Sequence, residues 1–287
     1  MATLLRGAPV AAAITERLVA RVGELAARGV TPGLAVIRVG ERDDDLAYER
    51  GVLSRAAKVG VEVRRVVLPA TCTQVELLAA IRAANEDDAV HGILLFRPLP
   101  AHLDEQTAAD AIATAKDVDC LTTGSLAHVL TGTGAGFDPC TAEAVVRLLD
   151  HYEVPLSGAD VCVVGRSLVI GRPVSLLLQR ADATVTMCHS RTRDLAAHTR
   201  AAGVLVVACG WARMIGPEHL SAGQVVVDVG IHWDEKAGKL VGDVDADAAG
   251  EVAGAITPVP GGVGSITTAV LMDHVVAAAE HATGLRG

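Results

Sequence analysis

Aromatic residues are nearly missing from this chain, with two each of Phe, Tyr and Trp among 287 residues. Hydrophobic residues still make up 51% of it. The core must therefore be aliphatic and alanine-rich, held by many small contacts rather than a few large rings. Basic runs are absent too. With a formal net charge of -9 and no cluster of Lys or Arg, the chain offers a phosphate backbone little to grip, which argues against nucleic acid as a main partner. No apolar stretch approaches the roughly 20 residues that a membrane span needs. Six cysteines, at 72, 120, 140, 162, 188 and 209, form no CxxC pair. Several sit inside apolar strand-like runs, where cysteine serves as a small buried hydrophobe. The expectation is a reduced, cytoplasmic protein without a zinc or other metal site.

The N-terminus begins like a secretory signal, but Thr15, Glu16 and Arg17 interrupt its apolar stretch. Ile14, Leu18, Val19, Val22 and Leu25 recur at helical spacing instead, predicting an amphipathic helix. Strand-like runs then alternate with helical ones. Residues 32–40, 61–68 and 91–96 read as strands, with helices from Asp45 to Val59 and from Gln74 to Ala84 between them. This βαβαβ order implies a parallel sheet covered by helices. After Asp119 a looser Gly- and Thr-rich segment reads as a crossing between two units, followed by a helix from Thr141 to Tyr152. Strands at 159–165, 183–190, 203–210 and 224–230 follow, and a last helix runs from Ser265 to Thr283. The fold class is α/β with two domains and parallel sheets, in a length that exceeds one typical domain.

Chemistry enters at residues 161–178, VCVVGRSLVIGRPVSLLL, where an apolar strand turns into a helix. Gly165 permits the sharp turn, Arg166 and Ser167 offer donors, and Gly171 allows close packing where free helix N–H groups attract phosphate. The pattern is GxSxxxG, not GxGxxG, and taken alone it fits a nucleotide site and a plain strand-to-helix turn equally well. The next strand ends in Cys188-His189-Ser190-Arg191-Thr192-Arg193. It lacks the acid that binds the ribose hydroxyls of NAD, and its two arginines suit a 2′-phosphate, so NADP is favoured.

VVGRSLVIGRP, TVTMCHSRT, VVVDVGI, GDVD and ITPVPGGVGSIT, preceded by GILLFRPLPAHLD, KDVD and Pro139-Cys140-Thr141, occur in this order along the chain. In identity and order these segments resemble the FolD-type methylenetetrahydrofolate dehydrogenase/cyclohydrolases, over nearly the whole length. The resemblance implies a folate-handling domain over 1–140, a Rossmann-like NADP-binding domain over 141–267, a C-terminal helix at 268–287 returning to the first, and a homodimer. It implies oxidation of a methylene-bridged reduced folate by NADP, then hydrolysis of the methenyl cation to the formyl product. Tyr48 matches a residue that stacks along the folate and hydrogen-bonds to it. Asp119 matches the carboxylate that grips the amino-pyrimidine edge, which suits an acceptor of paired N–H donors. Pro260, Gly261 and Gly262, with Val263 and Gly264, match a loop where backbone approaches the flat ligands. Ile231 matches a cofactor contact beside Gly165, Arg166, Ser167, Ser190 and Arg191.

Two positions depart from the resemblance. The family's Ser-x-x-Tyr-Val-x-x-Lys motif, anchored on Tyr48 and Gly60, puts Asp45 at the serine and Val52 at the lysine. Phe96 stands where a glutamine supports that lysine. Valine neither transfers a proton nor stabilises developing charge. Lys58 is too far along the helix to replace it, and Arg55 lies about two turns away. Arg97 would bring positive charge to the altered pocket but stays protonated, so it is no ordinary base. Hydride transfer chiefly needs two reactants held in register, whereas hydrolysis also needs proton management. The expectation is a dehydrogenase whose cyclohydrolase step is weakened or lost. The alternatives are a fully bifunctional enzyme, a non-catalytic folate- or nucleotide-binding paralogue, and a specialised relative acting on a modified pterin or another imine-like substrate.

Overall fold

A computed structural model describes residues 2–285. In chain order its main elements are β1 (Thr3–Leu4), α1 (Gly7–Ala26), β2 (Gly33–Val39), α2 (Asp43–Val59), β3 (Glu62–Leu68), α3 (Gln74–Glu86), β4 (Gly92–Leu95), α4 (Glu105–Asp110) and α5 (Thr123–Thr131). The second half continues with α6 (Cys140–His151), β5 (Asp160–Val164), α7 (Gly171–Arg180), β6 (Thr184–Cys188), α8 (Leu195–Ala201), β7 (Val204–Val207) and β8 (Val225–Asp228). It closes with β9 (His232–Asp234), β10 (Lys239–Val241), α9 (Ala246–Ala249), β11 (Ala255–Ile256) and a C-terminal helix (Thr267–Ala282). The chain divides into two compact units, one comprising 12–140 with the segment from Thr268 onward, the other comprising 141–267 with the residues up to Ala11.

In the unit built from 12–140 the sheet order is β3-β2-β4, all parallel. The run GLAVIRV is buried at every position of β2, as a central strand covered on both faces requires. β3 lies at an edge, and its EVRRVVL sequence accordingly leaves Glu62, Arg64 and Arg65 in solvent. Arg38 is the one charge inside β2. Its Nε meets Glu49 Oε2 of α2 at 2.9 Å, and Glu49 also takes Arg65, so the buried charge is paired. One face of the core is Ile37, Leu77, Ile81, Ile93 and Leu95. The C-terminal helix packs within this unit with Val270, Leu271, Met272, Val275 and Val276 fully buried, and Arg21 of α1 grips its Glu280 at 2.8 and 2.7 Å.

Val19 is exposed rather than part of the buried stripe of α1, since it lies about 100° round the helix from buried Leu18. The Gly- and Thr-rich segment after Asp119 is not wholly irregular. Thr122 accepts Ser125 N at 3.0 Å as a helix cap, and Gly132 in the left-handed region ends α5.

In the other unit six strands run in the order β1-β11-β8-β7-β5-β6, every pairing parallel, with a separate antiparallel β9–β10 hairpin. β1 adds to this sheet: Thr3 pairs with Ala255, and Leu5 N donates to Ile256 O at 2.9 Å. The residues up to Ala11 therefore sit with the Rossmann-type unit, whereas the sequence reading had grouped them with the first. All six cysteines are free thiols. No helix among the described residues is long and apolar enough to cross a membrane.

Candidate active site

Consecutive strands β5, β6 and β7 lie in the spatial order β7-β5-β6, so the order in which strands add to the sheet reverses beside β5. Ligands of open parallel sheets bind at such a reversal, outside the carboxyl ends of the strands. A cavity of about 440 Å³ opens there, bringing Gly165, Arg166 and Ser167 after β5 together with Ser190 after β6 and Trp211 after β7. Gly165 has φ +141°, and a side chain on Gly171 would overlap the Gly165 carbonyl, so the start of α7 rests directly on the turn. Ser167 Oγ accepts the N–H groups of Ile170 at 3.1 Å and Gly171 at 3.4 Å, shaping the loop. This is the close backbone cradle that a dinucleotide phosphate needs. Arg191 is exposed beyond the strand end, its N–H donating to His189 Nδ1 at 3.1 Å.

Further along the same sheet, a second cavity of about 270 Å³ gathers Ile231, Pro260, Gly261 and Gly262 beside Asp228. Gly7 N donates to Gly261 O at 2.8 Å and ties this loop to the start of α1. Beneath it lies a network that sequence reasoning missed. Asp228 accepts N–H bonds from Gly230 at 2.9 Å, Asp243 at 3.0 Å and Val244 at 2.9 Å. Asp243 in turn accepts from Cys209 N at 2.7 Å and Gly210 N at 2.9 Å, while its other oxygen meets His232 Nε2 at 2.6 Å. The only signal was two aspartates inside the motifs VVVDVGI and GDVD, with nothing to say they meet. Among the described residues no group of three or more His, Cys, Asp or Glu is arranged to hold a metal ion.

Burial pushes the Asp228 carboxyl up to about 6, against the pull of its three N–H donors. A carboxyl that is harder to ionise folded than unfolded binds its proton preferentially in the folded state. Its favourable contribution is thus full below the unfolded value, near 4, and is lost as pH rises through about 6. We predict that the stability of the unaltered protein relative to Asp228→Asn falls by roughly 2–3 kcal/mol between pH 4 and pH 6.5. Urea unfolding of both proteins across that window measures it; a pH-independent gap would refute the assignment.

In the first unit Phe96 and Arg97 directly follow β4, the first meeting the Tyr48 ring and the second acting on the Asp119 carboxyl. Tyr48 on α2 is 38% exposed, and its ring lies 5.7 Å from that of Phe96, which is 6% exposed. Val52, one turn on from Tyr48, is 0% exposed. Where the resemblance calls for a lysine and a glutamine, the structure thus has an aliphatic core residue and an aromatic wall. Arg55 is engaged elsewhere, with Nη1 on Thr15 Oγ1 at 2.9 Å and Nε on Thr268 Oγ1 at 3.5 Å. Arg97 pairs with Glu105 at 3.4 Å.

Asp119 ends a segment whose Asp117 bridges in parallel to Ile93 of β4. Burial raises the Asp119 carboxyl above its ordinary value, while a Cys140 hydrogen bond and the Arg97 charge pull it back down. The backbone around it is pinned. Asp117 accepts Leu121 N at 2.9 Å and Thr122 N at 2.8 Å, and His274 Nδ1 of the C-terminal helix donates to Val118 O at 2.8 Å. The resulting corner presents one half-buried carboxylate near one arginine, a geometry suited to a flat ligand edge with paired N–H donors.

Family models match both units. Residues 5–119 match the catalytic domain of tetrahydrofolate dehydrogenase/cyclohydrolase, and residues 139–283 match its NAD(P)-binding domain. The chain belongs to the tetrahydrofolate dehydrogenase/cyclohydrolase family. Among curated relatives, the bifunctional protein FolD of Alkaliphilus oremlandii is 47% identical over 278 residues, 97% of each chain. That of Carboxydothermus hydrogenoformans is 46% identical over 286 residues, 99% of this chain and all of its own. The crystal structure of FolD from Campylobacter jejuni superposes with a TM-score of 0.94 at 38% identity, covering 98% of this chain and 99% of that one. The FolD of Trypanosoma brucei, solved with NADP cofactor and an inhibitor, gives 0.92 at 37% identity, covering 100% and 99%. The expected family and the α/β two-domain fold class both hold, and the cradle at Gly165 and Gly171 lies within this family's NAD(P)-binding domain.

Proposed function

We propose that this protein oxidises 5,10-methylenetetrahydrofolate with NADP and hydrolyses the resulting 5,10-methenyl cation to 10-formyltetrahydrofolate. The observation that carries the reading is the presence, in one chain, of the Tyr48–Phe96 ring pair and the buried Asp119 carboxyl together with the phosphate cradle at Gly165 and Gly171. Relatives bearing the bifunctional name over 97–99% of this chain support both steps, and favour them over the sequence expectation of a weakened second step. NADP is preferred to NAD because the strand end at Ser190 and Arg191 carries no acid, and because the trypanosomal relative was solved with NADP. A cytoplasmic homodimer goes with this reading.

In this mechanism bound NADP supplies the hydride acceptor. Gly165, Arg166 and Ser167 hold its phosphates, Ser190 and Arg191 take the 2′-phosphate, and Ile231 contacts the redox end. Asp119 accepts the paired N–H donors of the amino-pyrimidine, which fixes the register of the folate. Tyr48 lies along the folate and directs its hydroxyl to it. Pro260, Gly261 and Gly262 let backbone approach a flat ligand ring closely.

A second reading, with hydrolysis slowed, rests on Val52 and Phe96. Purified protein given methylenetetrahydrofolate with NADP or NAD, with methenyl and formyl products followed separately, distinguishes the two. Prompt formyl product supports the bifunctional reading. Methenyl accumulation supports the slowed one, and binding without turnover overturns both. On the slowed reading, the double variant V52K/F96Q is expected to speed methenyl hydrolysis about 100-fold, the low end of what one positioned acid–base group contributes. V52K alone, placing an amine at a fully buried position with no glutamine beside it, is expected to lower Tm without that gain.

A further inference from the structure

Trp211 stands out because nothing in the fold explains it. Both tryptophans are exposed, Trp211 at 72% and Trp233 at 63%, but of the two it is Trp211 that lines the nucleotide cavity. Exposing an indole forgoes the burial that makes the residue useful for stability. The chain also holds the mount of this side chain firmly. The two N–H groups just before it, from Cys209 and Gly210, are both bound by Asp243 Oδ2, and Asp243 is itself held by His232. On the far side Met214 N donates to Trp211 O at 3.3 Å, and Arg213 N to Gly242 O at 3.0 Å. An exposed indole on so well-tied a turn is presented, not left over.

It is presented to the nucleotide cavity. Trp211 and Met214 line the same space as Gly165, Ser167 and Ser190. The turn at Gly165 accounts for phosphate and the strand end at Ser190 accounts for the adenosine 2′-phosphate. The adenine, joined to that same ribose, is the flat apolar part left to be met. Ile231 and Pro260, by contrast, line the separate cavity assigned to the redox end. Resting on the NADP reading above, we propose that the Trp211 indole stacks on the adenine of NADP and sets the affinity of the adenosine half. Stacking between a base and an aromatic ring needs no hydrogen-bond match, so an exposed ring on a fixed mount is sufficient.

The test uses W233F, which leaves Trp211 as the only indole; Trp233 lies in the β9–β10 hairpin, outside both cavities. Adenosine 2′,5′-bisphosphate is expected to quench most of the tryptophan emission of W233F, and nicotinamide mononucleotide to leave it unchanged. By calorimetry, W211A should raise the Kd for NADP and for the bisphosphate about tenfold, or 1.4 kcal/mol. W211F should restore binding to within about threefold, with circular dichroism and Tm unchanged in both. Unchanged Kd in W211A, or quenching by the mononucleotide alone, overturns the stacking while NADP binding stands. Failure of the unaltered protein to bind NADP or the bisphosphate overturns the cofactor reading itself, and the stacking with it.

Discussion

Gly171→Ala is expected to remove measurable NADP binding and to destabilise the protein by about 3 kcal/mol, the upper range for overpacking a tight contact. A methyl group at this position overlaps the carbonyl of Gly165 and lies 2.6 Å from Arg166 N. All of those atoms are backbone, so no flexible side chain can yield. The start of α7 has to move off the turn, which breaks the bonds from Ile170 N and Gly171 N to Ser167 Oγ. It also withdraws the helix N–H groups from the place where phosphate would sit. Differential scanning fluorimetry with and without NADP reads both effects. In the unaltered protein NADP should raise Tm by mass action; in the variant the Tm should be lower and should not respond. A variant that keeps the full NADP-induced shift would show that the cradle is not the phosphate site.

The parallel strands were legible because burial on both faces leaves an unbroken apolar run, as in GLAVIRV of β2 and VLVV of β7. Periodicity located α2 and α3, while α2 opens two residues earlier than expected on three aspartates that favour the helix N-terminus, and Thr73 with Glu76 forms a capping box on α3. What escaped were elements too short to carry a period. β1 and β11 have two residues each and exist because they complete a sheet edge. The same edge explains why the residues up to Ala11 join the Rossmann-type unit: backbone hydrogen bonds place them there, and backbone bonds leave no pattern in side chains.

The candidate site shows the same division. Gly165, Ser167 and Gly171 form one contiguous motif whose spacing has a steric meaning, so sequence located the cradle. Pro260, Gly261 and Gly262 were readable for the same reason. The Asp228–Asp243–His232 network joins positions on three segments, each an ordinary polar residue by itself. Trp211 shares a cavity with Ser190 only because β7 and β6 flank β5. Val52 and Phe96 were visible as departures, but only the structure supplies their consequence, an apolar wall against the Tyr48 ring.

Asp119→Ala is expected to lower kcat/KM for the folate substrate by about 100- to 1,000-fold, as removing one partner of a hydrogen-bonded charged pair does. Stability should respond in the opposite sense or not at all. Burial holds this carboxyl above its ordinary value, so the fold gains nothing from its ionisation, and its removal relieves the cost of a partly buried charge. A group kept at a cost to the fold and needed by the ligand is what a binding role implies. Asp117, two residues earlier, supplies the contrast. It clamps Leu121 N and Thr122 N, so Asp117→Ala leaves two buried donors unpaired and should destabilise by roughly 2–3 kcal/mol. Activity of Asp117→Ala, measured below its Tm, should fall less than that of Asp119→Ala. Paired measurements of Tm and kcat/KM on the two variants decide the matter. If Asp119→Ala instead lowers Tm and keeps its kcat/KM, the carboxylate is part of the scaffold and the ligand edge is gripped elsewhere.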